Sequence, residues 1–165
     1  MKVLAIDAAT KISGVAVFDN NKLIYHDIIK ASSTDVISRI NKIVEGIKLI
    51  IEEYSIEKII LEEVRPDNSP NSNVQKKLIW LQAGIEFMIH NNFPQITIEY
   101  VYPSEWRKLC GIHTGRGIKR EHLKKECINF INKTYNLNIT SDDEADAIGI
   151  GHSYINKIDN EINWE

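Results

Sequence analysis

Residues 2–29, KVLAIDAATKISGVAVFDNNKLIYHDII, contain three apolar runs that are rich in β-branched residues. The runs cover residues 2–8, 12–18 and 22–29. A turn-forming cluster, Asp19-Asn20-Asn21, separates the second run from the third and is typical of a hairpin. The sequence therefore predicts that the chain opens as an antiparallel meander of three strands.

Helical and extended patterns alternate after the meander. Apolar residues at helical spacing predict a helix over 34–54, with Ser32, Ser33 or Thr34 as its N-cap. The other predicted elements are strands at 57–64 and 96–102, a helix at about 74–91, helical segments at 104–109, 117–134 and 142–158, and loops at 65–73 and 111–117. Strands joined through crossover helices run parallel. The pattern predicts an α/β fold with a five-stranded mixed sheet, in which parallel strands follow the antiparallel meander.

Length and composition indicate one ordinary globular domain. The 165 residues are 43% hydrophobic and 26% charged, and a chain of this length buries roughly 70% of its unfolded surface around one core. We assign residues 1–158 to this domain and 159–165 to an acidic, polar tail. No apolar run approaches the roughly 20 residues of a membrane span, and the short run before Asp7 lacks the features of a signal peptide. We therefore expect a cytoplasmic protein, in a bacterial cell or encoded by a phage.

Positive charge is concentrated in one part of the chain. The formal net charge is −3, but residues 103–133 carry eight basic residues against three acidic ones. Such a stretch is either a solvated helix face or a surface for an anionic partner such as nucleic acid. The segment alone does not separate the two interpretations.

Two acidic residues come directly after apolar strand residues. Asp7 follows Val3 to Ile6, and Glu62 follows Ile59 to Leu61. Burial of an unpaired carboxylate costs several kcal/mol, so each needs a compensating partner. Asp7 could instead cap the turn that follows it. Successive strand residues point to opposite faces, so only one of Glu62 and Glu63 can face a site shared with Asp7, and we favour Glu62.

A third acidic cluster begins a predicted helix. Acids in a first turn complement the helix dipole, and Ser141 is a good N-cap, so a structural role explains much of the cluster. However, Asp143 and Asp146 share a helix face, as do Asp142 and Asp146. The helix also carries small residues that would let it lie close against a sheet, namely Ala145, Ala147, Gly149 and Gly151.

Carboxylates that converge from three places repel one another unless a cation lies between them. Oxygen ligands select hard ions, here Mg²⁺ or Mn²⁺. Two such ions about 4 Å apart activate a water and stabilise the leaving 3′ oxygen of a phosphodiester. The three acidic positions therefore predict a metal-dependent nuclease.

Five short motifs, in order along nearly the whole chain, resemble those of the RuvC Holliday-junction resolvases, particularly the phage-type branch. The motifs are Ala5-Ile6-Asp7-Ala8-Ala9-Thr10 with Gly14-Val15-Ala16, Leu61-Glu62-Glu63-Val64, Tyr102-Pro103-Ser104-Glu105-Trp106-Arg107-Lys108, Gly115-Arg116-Gly117-Ile118-Lys119 and Asp143-Glu144-Ala145-Asp146-Ala147. The resemblance implies a three-layer α/β/α RNase H-like fold, a homodimer, and Mg²⁺-dependent symmetric nicking of four-way DNA junctions.

The resemblance also implies roles for individual residues. Asp7, Glu62, Asp143 and Asp146 match the catalytic, metal-binding carboxylates. Arg107 and Lys119 fall where the family places basic residues against the DNA backbone. Our full set of expected DNA-binding residues is Arg65, Arg107, Lys108, Arg116, Lys119 and Arg120.

Two features depart from the family pattern. Cellular members commonly carry an aromatic residue, thought to wedge into the junction, where this chain has Arg65-Pro66-Asp67. One basic position is Arg107 rather than lysine, and an arginine does not readily donate a proton, so positioning and charge neutralisation are its expected roles.

Several other residues allow two interpretations. The predicted second helix is apolar around much of its circumference, as expected of either a core helix or a dimer interface. His152 lies two turns beyond the acidic cluster, and we expect it to be structural. Trp106 could pack in the core or stack on a base. Cys110 and Cys127 lack metal-ligand spacing and are expected to be ordinary thiols.

Three other functions compete with a junction resolvase. A nuclease of this kind could cut forks, Y-structures or RNA–DNA hybrids, or the chain could be a catalytically silent module that binds branched DNA. A sugar-kinase or actin-like ATPase begins with a similar strand and hairpin, but it needs a duplicated domain and glycine-rich phosphate loops, for which 165 residues leave no room.

Overall fold

The computed structural model describes residues 1–64 and 72–162. The strands within these ranges are β1 (Lys2–Asp7), β2 (Ile12–Asp19), β3 (Lys22–Lys30), β4 (Lys58–Glu62) and β5 (Thr97–Val101). The five helices of the described residues are α1 (Val36–Tyr54), α2 (Ser72–Asn92), α3 (Pro103–Leu109), α4 (Arg120–Tyr135) and α5 (Asp142–Ile162). Arg65 and the rest of the segment 65–71 lie outside the described residues.

One mixed sheet has the strand order β3-β2-β1-β4-β5. The meander β1-β2-β3 is antiparallel, while β4 pairs parallel with β1 and β5 pairs parallel with β4. Asn20 adopts a left-handed conformation, with φ of 50°, in the tight turn between β2 and β3. The mixed sheet and its order of strand directions confirm the fold class predicted from the sequence.

Helices cover both faces of the sheet, so the fold has three layers. On one face, α1 and α2 pack through large aliphatic side chains such as Ile43, Ile47 and Leu81, all fully buried. On the other face, α3, α4 and α5 form a second core around Trp106 and Ile131. This is the three-layer α/β/α arrangement of the RNase H-like fold.

The helix α5 lies unusually close to the sheet because small residues face each other at the contact. A Cβ atom added at Gly14 would stand 1.8 Å from the backbone oxygen of Asp143, and one added at Gly151 would stand 2.2 Å from the Phe18 ring. Ala145 and Ala147 are fully buried in the same contact. The expectation that small residues bring this helix against the sheet is confirmed.

The starts of two helices differ from the predictions for local reasons. The N-cap of α1 is Asp35, rather than Ser32, Ser33 or Thr34, because its Oδ2 accepts a hydrogen bond of 2.7 Å from the Ser38 N–H. The helix α4 begins at Arg120 rather than at 117, since Gly117 has a φ of +93° that a helix does not allow. The helix α5 continues to Ile162, past the predicted end at 158. Within the described residues, no helix is both long and apolar enough to cross a membrane.

Candidate active site

Asp7 and Glu62 meet because they end neighbouring parallel strands. Asp7 is the last residue of β1 and Glu62 is the last residue of β4. The parallel register pairs Ile6 with Leu61, so the next residue of each strand stands at the same edge of the sheet. The two carboxylates therefore converge, as the sequence indicates.

The first turns of α5 bring two more carboxylates to this edge. Gly14 pairs with Asp7 in the meander, and its missing side chain is what allows the Asp143 backbone to approach. Asp146 lies one turn further along the same helix face. Asp143 is thus positioned by backbone contact with the strand that neighbours β1.

These residues line a cleft of about 240 Å³. Its walls come from two strands and three helices. The lining residues are Asp7, Glu62, Arg107, Arg120, Leu123, Lys124, Asp142, Asp143 and Asp146. Five carboxylates and three basic side chains leave two excess negative charges when all are ionised, so the cleft can accommodate a divalent cation.

The electrostatics of Asp7 reflect this crowding. Burial raises the pKa of the Asp7 carboxyl well above its ordinary value, and the charges of Glu62, Asp146 and Asp143 raise it further. The positive charge of the Arg107 guanidinium acts to lower the pKa of Asp7. An additional cation would therefore favour the ionised form of Asp7.

Ser13 and Arg39 hold the turn that follows Asp7. The Ser13 hydroxyl donates to the Ala9 carbonyl and accepts from the Ala9 N–H, at 2.7 and 3.0 Å. The buried Arg39 side chain donates to the Thr10 carbonyl at 3.1 Å. This turn therefore does not require Asp7 as its cap.

Glu62, rather than Glu63, lines the cleft. Its Oε2 accepts a hydrogen bond of 2.7 Å from the indole N–H of Trp106. Burial raises the pKa of the Glu62 carboxyl, while the hydrogen bond from Trp106 and the charge of Arg107 lower it. The Glu63 backbone N–H donates to Val101, which continues the pairing of β4 with β5.

Asp142 and Asp143 both line the cleft but differ in their partners. Asp142 forms an ion pair with Lys124. Although burial acts to raise the pKa of Asp142, the bond and charge of Lys124 hold it below its ordinary value. Partial burial and the neighbouring charge of Asp142 raise the pKa of Asp143. Asp142 is therefore already neutralised by a protein cation, which favours Asp143 as the ligand.

Asp146 contacts two side chains of the helical layer. Burial raises the pKa of the Asp146 carboxyl above its ordinary value, although the Arg107 guanidinium, 3.4 Å from Oδ2, acts to lower it. The Cys127 thiol also donates a hydrogen bond to Asp146. Burial keeps this thiol protonated by raising its pKa, so it remains a donor.

The predicted basic residues divide into two groups. Arg107 and Arg120 line the cleft. Lys108, Arg116 and Lys119 are exposed on the segment that runs from the end of α3 to the start of α4, and they do not line it. Lys124 does line it and is absent from our sequence-based set. Arg65 lies outside the described residues.

Trp106 packs in the core and does not offer a base-stacking surface. Its side chain is fully buried, and a Cβ atom at Gly149 would stand 2.8 Å from the ring. His152 is likewise structural. It contacts the Tyr135 hydroxyl at 2.7 Å and Asn156 at 2.8 Å, and burial lowers its pKa.

The donor set fits a hard divalent cation by its chemistry, since the acidic groups are all carboxylates. Among the described residues, however, no three His, Cys, Asp or Glu side chains already stand where together they could hold a metal ion. Two of the carboxylates are paired with protein cations instead, Asp146 with Arg107 and Asp142 with Lys124. Side-chain rotation would have to complete the coordination.

A larger open concavity of about 660 Å³ lies at the other end of the strands. It is lined by residues that precede β4 and β5, including Ile56, Glu57 and Gln95. Glu57 there is bound to the backbone of Lys2 and paired with the N-terminus. We therefore place the candidate active site in the smaller cleft, where the carboxylates converge.

Solved structures with this fold come from bacterial, viral and mitochondrial sources. Thermus thermophilus RuvC in complex with a Holliday junction substrate matches with a TM-score of 0.73 and 15% identity, over 93% of this chain and 91% of that chain. The fowlpox virus resolvase, solved with its substrate Holliday junction DNA, matches with a TM-score of 0.58 and 20% identity, over 96% and 99%. The yeast mitochondrial Holliday junction resolvase matches with a TM-score of 0.60 and 13% identity, over 93% and 77%. These likenesses show that the chain shares the fold of these proteins, which is the RNase H-like fold.

A family defined by sequence also matches nearly the whole chain. The chain belongs to the family DUF3882, described as "Lactococcus phage M3 protein", which matches residues 1–157. No curated protein matches the sequence. The phage family agrees with the phage-type character of the motifs.

Proposed function

We propose that this protein is a structure-selective endonuclease that resolves four-way DNA junctions by metal-dependent phosphodiester hydrolysis. The observation that carries the proposal is the cleft in which Asp7, Glu62, Asp143 and Asp146 converge from β1, β4 and α5. Solved neighbours with the same fold are junction resolvases, two of them in complex with junction DNA.

The four carboxylates are the proposed ligands of two Mg²⁺ ions, which Mn²⁺ could replace. Bound there, the ions would activate a water and stabilise the leaving 3′ oxygen. Asp7 and Glu62 stand on rigid strand ends, while the ligands on α5 are fixed by its close contact with β2. Rigid positioning of this kind is what an in-line displacement requires.

The basic residues of the cleft are proposed to contact the DNA backbone. Arg107 and Arg120 line it beside the carboxylates, and Lys124 stands next to Asp142. Phosphate contacts fix the register of a duplex without reading its bases, which suits an enzyme that selects DNA by shape. Lys108, Arg116 and Lys119 extend the basic surface away from the cleft. Arg65 completes the proposed set.

A second copy of the chain is proposed to dock on α2. Ile79, Trp80 and Phe87 lie toward one side of this helix and are 45%, 41% and 69% exposed. Two-fold symmetry would present two active sites to the two opposed strands of a junction, as paired nicks require. The substitution Phe87→Asp should yield a monomer in light scattering, whereas Leu49→Asp, at an equally exposed apolar position on α1, should leave the dimer intact.

Cleavage of an end-labelled synthetic four-way junction, with and without Mg²⁺, tests the proposed activity. We expect symmetric paired nicks that depend on the ion, and loss of cleavage but not of junction binding in Asp7→Asn. Asp19→Asn is the matched control, because Asp19 ends β2 at the opposite edge of the sheet. Cleavage by Asp7→Asn at the wild-type rate would refute the proposal.

A substrate panel separates the proposal from its competitors. Faster cutting of forks or Y-structures than of four-way junctions would indicate a broader debranching nuclease, and preference for RNA–DNA hybrids would indicate a ribonuclease H activity. Binding of branched DNA without any metal-dependent cutting would indicate a silent binding module.

A further inference from the structure

Trp106 does not line the cleft itself but contacts two residues that do, Glu62 and Arg107. Trp106 and Arg107 are adjacent on α3, but the Trp106 side chain points into the core while the Arg107 side chain reaches the cleft. The side chain is fully buried. A buried indole N–H needs an acceptor, and here the acceptor is the Glu62 carboxylate, at 2.7 Å.

The ring of Trp106 makes a second contact toward the cleft. The Arg107 guanidinium lies over this ring, 4.7 Å from its centroid, and the same guanidinium is 3.4 Å from Asp146 Oδ2. Cation–π contact restricts where a guanidinium can lie. Trp106 therefore acts on Glu62 directly and on Asp146 through Arg107.

The position of the indole is itself fixed by packing. Gly149 leaves the space that the ring occupies, since a Cβ atom there would stand 2.8 Å from it. The Gly149 carbonyl accepts from the Cys110 thiol at 3.4 Å, which ties the end of α3 to α5. Trp106 is thus held between the helix that carries it and the helix that carries Asp146.

We propose that Trp106 is a positioning residue of the cleft, whose indole N–H orients the Glu62 carboxylate and whose ring orients Arg107 against Asp146. The inference rests on the proposed metal-dependent activity, because it concerns how two of the proposed ligands are held ready for the ion. Partners of this kind behind a metal ligand affect metal affinity by roughly 10-fold to 100-fold.

The substitution Trp106→Phe tests this role, because it keeps an aromatic ring and removes the N–H. We expect its affinity for Mn²⁺, measured by calorimetry without DNA, and for Mg²⁺, measured from the ion concentration that half-saturates cleavage, to fall by roughly 10-fold to 100-fold. Junction binding without metal should stay within about twofold of wild type, since Trp106 is buried. Tyr135→Phe is the matched control: it also removes one polar group from a partly buried ring that contacts α5, at His152 rather than at the cleft, and should retain wild-type metal affinity.

A spectroscopic measurement on the unaltered protein covers the case in which Trp106→Phe does not fold. The indole N–H signals of ¹⁵N-labelled protein are assigned with Trp80→Phe and Trp164→Phe, which leaves the Trp106 signal by elimination. We expect this signal to shift as Mg²⁺ is added without DNA, and the shift to saturate as the metal site fills. A Trp106 signal that does not respond to bound metal, or a folded Trp106→Phe with wild-type metal affinity, would overturn the inference.

The same measurements separate this inference from the proposed function. Metal binding that shifts the Trp106 signal, without cleavage of any junction, would overturn the proposed activity and leave the positioning role supported. A wild-type protein that binds neither Mg²⁺ nor Mn²⁺ would overturn both.

Discussion

The two helical layers of this protein meet the same sheet with different side chains. The layer of α1 and α2 packs through large aliphatic residues, including Ile43, Ile47 and Leu81. In the other layer, α5 meets the strands through glycine and alanine, so its backbone lies against β2. Interdigitating aliphatic side chains supply burial free energy, whereas small residues set how closely two backbones approach. The comparison indicates that both layers stabilise the fold, while the close contact of α5 with β2 also sets the geometry of the cleft.

The largest expected effect comes from a methyl group placed between α5 and β2. In Gly14→Ala the added Cβ would overlap the backbone oxygen of Asp143, which cannot move aside as a flexible side chain could. We expect a loss of about 3 kcal/mol in the free energy of unfolding and a fall in junction cleavage of at least about 100-fold, because displacing groups that position a reaction by 1 Å costs on this order. Denaturant unfolding and single-turnover cleavage measure the two effects.

Gly84→Ala provides the matched change in the aliphatic layer. Its Cβ would stand 3.3 Å from a methyl group of Ile40, which can shift slightly. Stability should change by less than about 1 kcal/mol, since alanine favours the helix by about that amount, and cleavage should stay at the wild-type rate. Equal losses of cleavage in the two variants would contradict the division of roles between the layers.

A cavity in the aliphatic layer should separate stability from activity. Ile47 is fully buried between α1 and the sheet, and Ile47→Ala should cost about 3 kcal/mol of unfolding free energy. At a temperature where the variant is folded, its cleavage rate should match wild type, because no residue of the cleft belongs to α1. A slower rate in the fully folded variant would mean that this layer also sets the site.

The contrast between Asp142 and Asp143 sharpens the comparison within α5. Asp143→Asn should reduce cleavage by about 100-fold or more, because charge stabilisation by bound metal is worth several kcal/mol. Asp142→Asn removes a partly exposed ion pair with Lys124 and should lower stability by no more than about 1 kcal/mol, with a smaller effect on cleavage. The reverse order of the two cleavage rates would identify Asp142 as the ligand.

The sequence predicts the fold well because its elements are marked locally. Apolar runs rich in β-branched residues define the strands of the meander, and the Asp19-Asn20-Asn21 turn sets the hairpin. Boundaries depend on individual contacts, and Asp35 rather than a nearby serine or threonine caps α1 because its carboxylate reaches the Ser38 N–H. Periodicity carries no information about such a choice between adjacent capping residues.

The candidate site is only partly predictable for a related reason. Asp7 and Glu62 are recognisable because an acid at the end of an apolar strand needs an explanation. The contact of Trp106 with Glu62 and the pair of Lys124 with Asp142 join residues far apart in the chain. No spacing encodes these contacts, and they exist only once α3 and α4 pack beside α5.

The pH dependence of stability isolates the free-energy cost of bringing the carboxylates of the cleft together. In the folded, metal-free protein the pKa of Asp7 lies well above its ordinary value, chiefly through burial. The folded state therefore holds a proton that the unfolded state releases near pH 4. As pH rises from about 4 through the raised pKa, this group should make the free energy of unfolding fall, by at most about 1.4 kcal/mol per pH unit. Asp7→Asn, measured with a chelator present, should flatten that slope. An equal slope in wild type and Asp7→Asn would show that Asp7 does not bear the cost of bringing the carboxylates together.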